Sequence, residues 1–530
     1  MKKDHQEIDG KLIPQISSAK VAFICCFIAG YLAHLFAFTN IIPNSDGISR
    51  VFDPQQMTIS GRWFLHYATI FNGFVQAPAV IGFFSVLFLS FSAALTVYAL
   101  QIQHKTIGAL TGILMIVFPS VAFTFLFMFT ASAYCFGILL AVLSFYLISK
   151  KTRAVMIPAA FLLACAVATY QAYYAVAVSL SLICILLAAL DKEYSVRDIL
   201  KMAGKYLAYL VLGLVFYYAV LIIFLRVKKL TLIDYRGISD MTKFGMLGKI
   251  VSRIPHAYLS FARFLLSADR SYSTWFFVCL NIAFILLGLL AFIGLLRRMD
   301  QKKRSSVCAV FIVGVILFPL AINLTDLMGV QSEIVLYSFV FVYIFALALV
   351  DRWLGADVNS QREARSKILL TVTVCLSVML CVFWVNTDNL AYTASATAHR
   401  ATESFATRLV QRVESTQGYD KNMEVIIIGG FPKTSYHTGV EAFKRADTPA
   451  DSILVSTKTV YYYLNDWLNV PWREPDEETL QAVSDSELFQ AMPIYPDDGS
   501  IVIADGRVIV KLADKYIPKE LYEIQYENRR

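Results

Sequence analysis

Charge is scarce in this 530-residue chain. Asp, Glu, Lys and Arg make up 16% of it, against about a quarter in an ordinary soluble domain. Cysteine is scarce wherever the sequence is polar. All nine (25, 26, 135, 165, 184, 279, 308, 375 and 381) fall inside apolar runs, which excludes a disulfide-stapled exposed region. The seven histidines are scattered, with no pair at metal-ligand spacing, so no Cys/His metal centre is expected. No Ser-His-Asp or Cys-His constellation stands out, and there are no internal repeats or low-complexity stretches. Gly429-Gly430 is followed by neither a Gly-x-Gly-x-x-Gly nor a phosphate-loop pattern, so it reads as a plain turn.

What the chain has in excess is apolar length. Hydrophobic residues make up 57%, and they lie in runs of about 18–22, enough to cross roughly 30 Å of hydrocarbon as helix. Spans are expected near 21–38, 79–100, 107–127, 133–149, 154–169, 172–190, 203–225, 275–296, 307–324, 333–350 and 368–385. The fold class is therefore mainly α: a polytopic helical membrane protein of eleven spans with a C-terminal soluble domain. The first run lacks a small-x-small cleavage site and is read as a span, not a secretory signal. Lys and Arg cluster at the N-terminus and after the fourth, sixth, eighth and tenth runs. The short connections near 128–132, 170–171 and 325–332 have none. By the positive-inside rule the N-terminus is cytoplasmic, and an odd count puts the C-terminus outside. The net charge of +8 is thus placed by membrane topology and does not imply nucleic acid.

Residues 1–385 form the expected transmembrane domain, with outside loops at 39–78 and 226–274. Residues 386–530 form an extracytoplasmic domain. Charge separates the two: 32 Lys and Arg against 17 Asp and Glu in the first, 15 against 22 in the second. In the tail, Thr402–Glu414 is helix-like and Val425–Ile428 reads as a buried strand. Residues 501–510 read as a hairpin turning at Asp505-Gly506, giving a small α/β or α+β domain. Its aromatics, among them Tyr461, Tyr462, Tyr463, Trp467 and Trp472, would either grip a polymer or, for most of them, pack a core.

The first outside loop is the place to look for chemistry. It holds Asn44-Ser45-Asp46-Gly47, Arg50, Asp53 and Ser60-Gly61-Arg62-Trp63. Asp46 falls just past the first span. A carboxylate partly desolvated at that boundary gains proton affinity and suits a general base. Arg50 and Arg62 offer permanently charged forks for phosphate or carboxylate. The plainer alternative is a turn at Ser45-Asp46-Gly47, an Arg62–Asp53 pair and Trp63 as an interface anchor. The second loop carries nine cations. Of these, Arg263 and Arg270 are the expected phosphate contacts, because Ala257–Leu266 is amphipathic and would lie at the interface. Tyr170-Gln171 is either a polar hairpin or part of a site. Asp326 and Glu333 either line the acceptor side or are exposed loop acids.

Asn44-x-Asp46, Gly61-Arg62-Trp63 fifteen residues on, and Tyr170-Gln171 at an outer helix end carry a resemblance. In these motifs and in overall layout the chain resembles the phage- and bacterium-encoded type II glucosyltransferases, which modify O-antigen and related surface polysaccharides and belong with the GT-C membrane glycosyltransferases. The tail adds little to the likeness. The resemblance implies a GT-C helical bundle, a polyprenyl-phosphate sugar donor with glucose the expected sugar, a polysaccharide acceptor, and Asp46 as catalytic acid of the first loop. It implies Arg50, Asp53, Arg62, Trp63, Tyr170, Gln171, Arg263 and Arg270 as substrate-binding, and a multi-pass location in the bacterial inner membrane. Some GT-C enzymes place two acids side by side there. Here Ser45 and Gly47 flank Asp46 and the next acid is Asp53, which argues against a metal held by an Asp-x-Asp pair. No cofactor is expected. The competing readings are a lipid-linked oligosaccharide flippase or exporter, and a surface-polysaccharide polymerase or ligase. The near-absence of charge within the spans speaks against an ion-coupled transporter.

Overall fold

The computed structural model describes residues 2–48, 51–150, 152–232, 246–268, 273–330, 332–355, 360–431 and 453–518. Its helices, in order, are α1 (Lys2–Thr39), α2 (Leu65–Ala68), α3 (Pro78–Ala99), α4 (Lys105–Val117), α5 (Pro119–Leu126), α6 (Met128–Ser149) and α7 (Met156–Thr169). They continue with α8 (Tyr174–Leu190), α9 (Val196–Lys228), α10 (Met246–Leu266), α11 (Trp275–Leu296), α12 (Gln301–Ile322), α13 (Leu324–Leu327), α14 (Val340–Leu354) and α15 (Ser360–Glu414). Among the described residues, 10 stretches are long and apolar enough to cross a membrane. The protein is a mainly-α polytopic membrane protein.

The tenfold count differs from the expected eleven at one place. The fifth run is α7, only 14 residues long, or about 21 Å of helix. Its first residues are diverted into a 3-10 turn at Arg153–Val155, and it ends where Tyr170 adopts φ −157°, ψ 121°. One extended residue thus divides a sequence that is apolar almost without interruption from 154 to 190. A second break is chemical. Pro119 has no N–H to continue α4 and forces Phe118 to an extended ψ of 132°, so the third run becomes α4 and α5.

Contacts divide the chain into two compact units, the first comprising 1–39, 53–125 and 130–389, the second 40–52, 126–129 and 390–530. In the first, α1 packs on α3 and α4, α7 on α9, α8 on α12, and α11 on α14. The α1–α4 contact is backbone-close, for a Cβ at Gly112 would run into the Ala22 carbonyl. Asp351 of α14 accepts from the Gln103 amide at 3.1 Å and the His104 amide at 2.8 Å, supplying a carboxylate to the positive start of α4. Helices such as α9 and α12 leave rows of large apolar side chains exposed, among them Val211, Val215, Ile312 and Val315. Such faces are stable against lipid and costly against water.

The second unit holds a three-stranded sheet of β1 (Glu424–Ile428), β2 (Ile501–Ala504) and β3 (Arg507–Lys511), in the order β1-β3-β2. β1 is parallel to β3, and β2 is antiparallel to it. Asp505 (φ 52°) and Gly506 (φ 71°) both take the left-handed region that a two-residue hairpin turn needs. Strand alternation sends Val425, Ile427, Val508 and Val510 to one face, with Leu409 of α15 and Val460, Tyr461 and Leu464 of α16 (Thr457–Asp466). Ile426, Ile428 and Ile509 face the other way, onto Leu480 of α17 (Glu477–Ser484) and Phe489 of α18 (Glu487–Ala491). Tyr461, Tyr463 and Trp472 are therefore core residues. The Tyr461 hydroxyl donates to the Val425 carbonyl at 2.7 Å and accepts from the Ile427 amide at 2.9 Å. Burial pushes that phenol up from its usual range.

Candidate functional site

In the first unit the segment 57–64 is folded against the end of α7 and the side of α9. A 3-10 turn at Thr58–Ser60 closes on Gly61, whose φ is +78°. A Cβ at Gly61 would lie 2.5 Å from the Tyr217 hydroxyl and 3.0 Å from Gln171 Nε2. Both atoms are there because they donate to this turn: Tyr217 to the Gly61 carbonyl at 3.1 Å, Gln171 to the Ser60 carbonyl at 3.0 Å. Trp63 is buried, donates to the Tyr217 carbonyl at 3.3 Å, and stacks on Phe224 with ring centroids 5.8 Å apart. Arg62 donates from Nη1 to the Tyr134 hydroxyl at 3.1 Å. Its guanidinium lies 5.0 Å from the centre of the Tyr170 ring, and Tyr170 stacks on Tyr134 at 4.5 Å.

Gly61-Arg62-Trp63 and Tyr170-Gln171 are thus one structure, tied across more than a hundred residues. Arg62 is half-buried on an aromatic shelf. Cation–π contact and a hydroxyl partner fix the direction of its fork. That chemistry suits an anion such as a phosphate oxygen. The Asp53 carboxylate accepts from the Gln55 amide at 2.8 Å and the Gln55 side chain at 3.0 Å.

Asp46 belongs to the second unit. Asn44 is buried there and builds the turn that carries it: its Oδ1 accepts from the Gly47 amide at 2.7 Å, and its Nδ2 donates to the Leu126 carbonyl at 2.8 Å. On the other flank Ile48 is fully buried in the domain core, and its carbonyl accepts from Trp467 Nε1 at 2.9 Å. Asp46 stands exposed between the two pinned flanks. Arg50 and Arg270 lie outside the described residues. Arg263 is exposed on α10.

A third cluster centres on Asp326, which is buried, not an exposed loop acid. Its carboxylate meets Arg253 Nη2 at 3.3 Å, His256 Nδ1 at 2.8 Å and the Ser260 hydroxyl at 2.9 Å, and its carbonyl accepts from Arg253 Nε at 2.7 Å. Asn323 adds a bond to Ser260 at 2.5 Å. Arg253, His256 and Ser260 sit at i, i+3 and i+7 of α10, one face of the helix. Sequence reading missed Tyr134, Tyr217, His256 and Ser260. The one available signal was the polar Tyr217-Tyr218 pair within an apolar span.

The family model described as Glucosyl transferase GtrII matches residues 35–350. The chain belongs to this glucosyltransferase family. No curated protein matches the chain. The matched region takes in Asn44–Ile48, Gly61–Trp63, Tyr134, Tyr170-Gln171, Tyr217 and the Asp326 cluster, and it stops before α15. The protein is thus a membrane glucosyltransferase, and all three arrangements above draw mainly on the matched residues.

Proposed function

We propose that this glucosyltransferase is of the GT-C type and moves glucose from a polyprenyl-phosphate donor to a surface polysaccharide, on the extracytoplasmic side of a bacterial cytoplasmic membrane. The acceptor hydroxyl oxygen attacks the anomeric carbon. The bond from that carbon to the phosphate oxygen breaks, its electron pair leaves with the lipid phosphate, and the hydroxyl proton passes to Asp46. The observation that carries this reading is the geometry of Asp46: an exposed carboxylate at the tip of a turn held on one side by Asn44 and on the other by Ile48. A base placed that way meets an acceptor without first being uncovered.

The leaving phosphate gains charge in the transition state and needs fixed cations. Arg62 on its Tyr134–Tyr170 shelf suits that task, and Arg50, Arg263 and Arg270 are its proposed companions. Trp63, Gln171 and Asp53 position the loop. No metal or cofactor enters this scheme. The test is Asp46→Asn, assayed by surface-glycan composition in cells and by transfer with purified protein. Transfer is expected to fall by about 10²–10⁴-fold, the usual worth of a general base, with expression unchanged. Full activity in Asp46→Asn would sink the assignment.

A further inference from the structure

Three carboxylates are buried among the described residues of the first unit, and two of them are fully provided for. Asp351 accepts backbone amides at the start of α4, and Asp326 is held by Arg253, His256 and Ser260. The third, Asp388 of α15, is 1% exposed, and neither of its carboxylate oxygens has a hydrogen-bond partner. Trp384 lies one turn before it on the same helix face, fully buried, with an unpartnered indole N–H. Ser377, two turns earlier still on that face, has an unpartnered buried hydroxyl. An uncompensated carboxylate is among the costliest groups a fold can bury. Protonation does not remove the difficulty, because the new O–H and the remaining carbonyl then need partners of their own.

We propose that Asp388 and Trp384 bind hydroxyl groups of the transferred sugar, which extends the glucosyl-transfer reading above and rests on it. The chemistry selects the ligand class. A carboxylate repels a phosphate. A bare cation is disfavoured by the indole N–H beside it, and no three His, Cys, Asp or Glu converge among the described residues to cage one. A polyol fits both groups: its hydroxyls donate to the carboxylate, and one of its oxygens accepts from the indole. The surroundings are aromatic, with Phe118 and Tyr343 edge-on to Trp384 at 5.2 Å and 5.1 Å, suited to the C–H face of a sugar ring. Asp388 also lies beyond the family-matched residues.

The test is thermal unfolding of the full chain in detergent with polyprenyl-phosphate glucose, and separately with polyprenyl phosphate lacking the sugar. Wild type and Asp46→Asn are expected to shift further with the glucosylated lipid than with the bare one. Asp388→Asn should shift equally with both, start from a melting temperature close to wild type because the carboxyl it replaces has no protein hydrogen-bond partner to lose, and lose transfer by at least about 100-fold. Asp388→Leu repeats the measurement if the Asn variant fails to fold. An extra glucosyl-dependent shift retained in the Asp388 variants overturns the proposal and leaves the glucosyl-transfer reading standing, as does a melting temperature well below wild type in both variants. No glucosyl-dependent shift in wild type overturns both.

Discussion

A methyl group at Gly61 would meet the Tyr217 hydroxyl and Gln171 Nε2 at once, and would do so on a backbone at φ +78°. The Tyr217 hydroxyl would have to shift, and Gln171 Nε2 to give by a few tenths of an ångström, for the side chain to fit. Gly61→Ala is therefore expected to cost on the order of 1–2 kcal/mol from the left-handed backbone alone, before any lost hydrogen bond is counted. Arg62 is the next residue, so transfer should fall with it. Thermal unfolding and transfer measured on the same detergent preparation check this, and an unchanged pair of values would show that the turn does not set Arg62. The Gly-Arg-Trp and Tyr-Gln motifs were legible in the sequence because each breaks an apolar pattern with polar residues. Tyr134 and Tyr217 were not, since a tyrosine in an apolar run is as compatible with an interface anchor as with a hydrogen bond. Asp388 was hidden for a related reason. It sits a few residues past the last expected span, where an acid reads as the first residue of the tail.

At the scale of elements, one carboxylate is a polar anchor of α10, beside the packing of Phe261 and Phe264 on neighbouring helices. Asp326 gathers Arg253, His256 and Ser260 from a single face of that helix. Removing one member of a buried pair can cost about 3–5 kcal/mol. The Arg253 side chain, however, is 36% exposed and regains water when its partner goes. Asp326→Ala is thus expected at about 1–3 kcal/mol, the cost of stranding buried donors, with the Ser260 hydroxyl and His256 Nδ1 the groups left short. Limited proteolysis should then cut within 246–266 sooner than in wild type, and unchanged cleavage would show that other contacts anchor α10. The amphipathic character of this helix was readable from residue spacing. Which acid it covers was not, because Asp326 is 66 to 73 positions from the residues it binds. The hairpin at Asp505-Gly506 and the buried strand at 424–428 were readable from turn chemistry and β-branched runs. The shortness of α7 was not: it depends on Tyr170 turning extended, a choice made by its stacking on Tyr134 and the Arg62 guanidinium.

At the scale of the molecule, α7 decides a parity. If this 14-residue helix crosses the membrane with the ten longer stretches, the count is odd, and the loop holding Gln56 faces the same side as Lys421 in the C-terminal unit. If it does not cross, the two lie on opposite sides. A helix of about 21 Å is short of the usual hydrocarbon thickness, but a bilayer thins locally at a cost of a fraction of a kcal/mol per ångström. The alternative is dearer, because it would move the Lys192–Lys205 cluster and the Arg297–Arg304 cluster to the outside together, against the charge rule. We therefore expect an odd count. Single cysteines at Gln56, Lys192 and Lys421, all exposed positions, test it with a membrane-impermeant maleimide. Gln56→Cys and Lys421→Cys should label on intact cells, and Lys192→Cys only after permeabilisation. The nine native cysteines lie in apolar stretches, and the unsubstituted protein gives the blank. Labelling of Gln56→Cys without Lys421→Cys would mean that α7 turns back within the membrane. The C-terminal unit would then be cytoplasmic, and the Ile48–Trp467 bond that pins the Asp46 turn into it would be overturned, since no span separates Ile48 from Gln56.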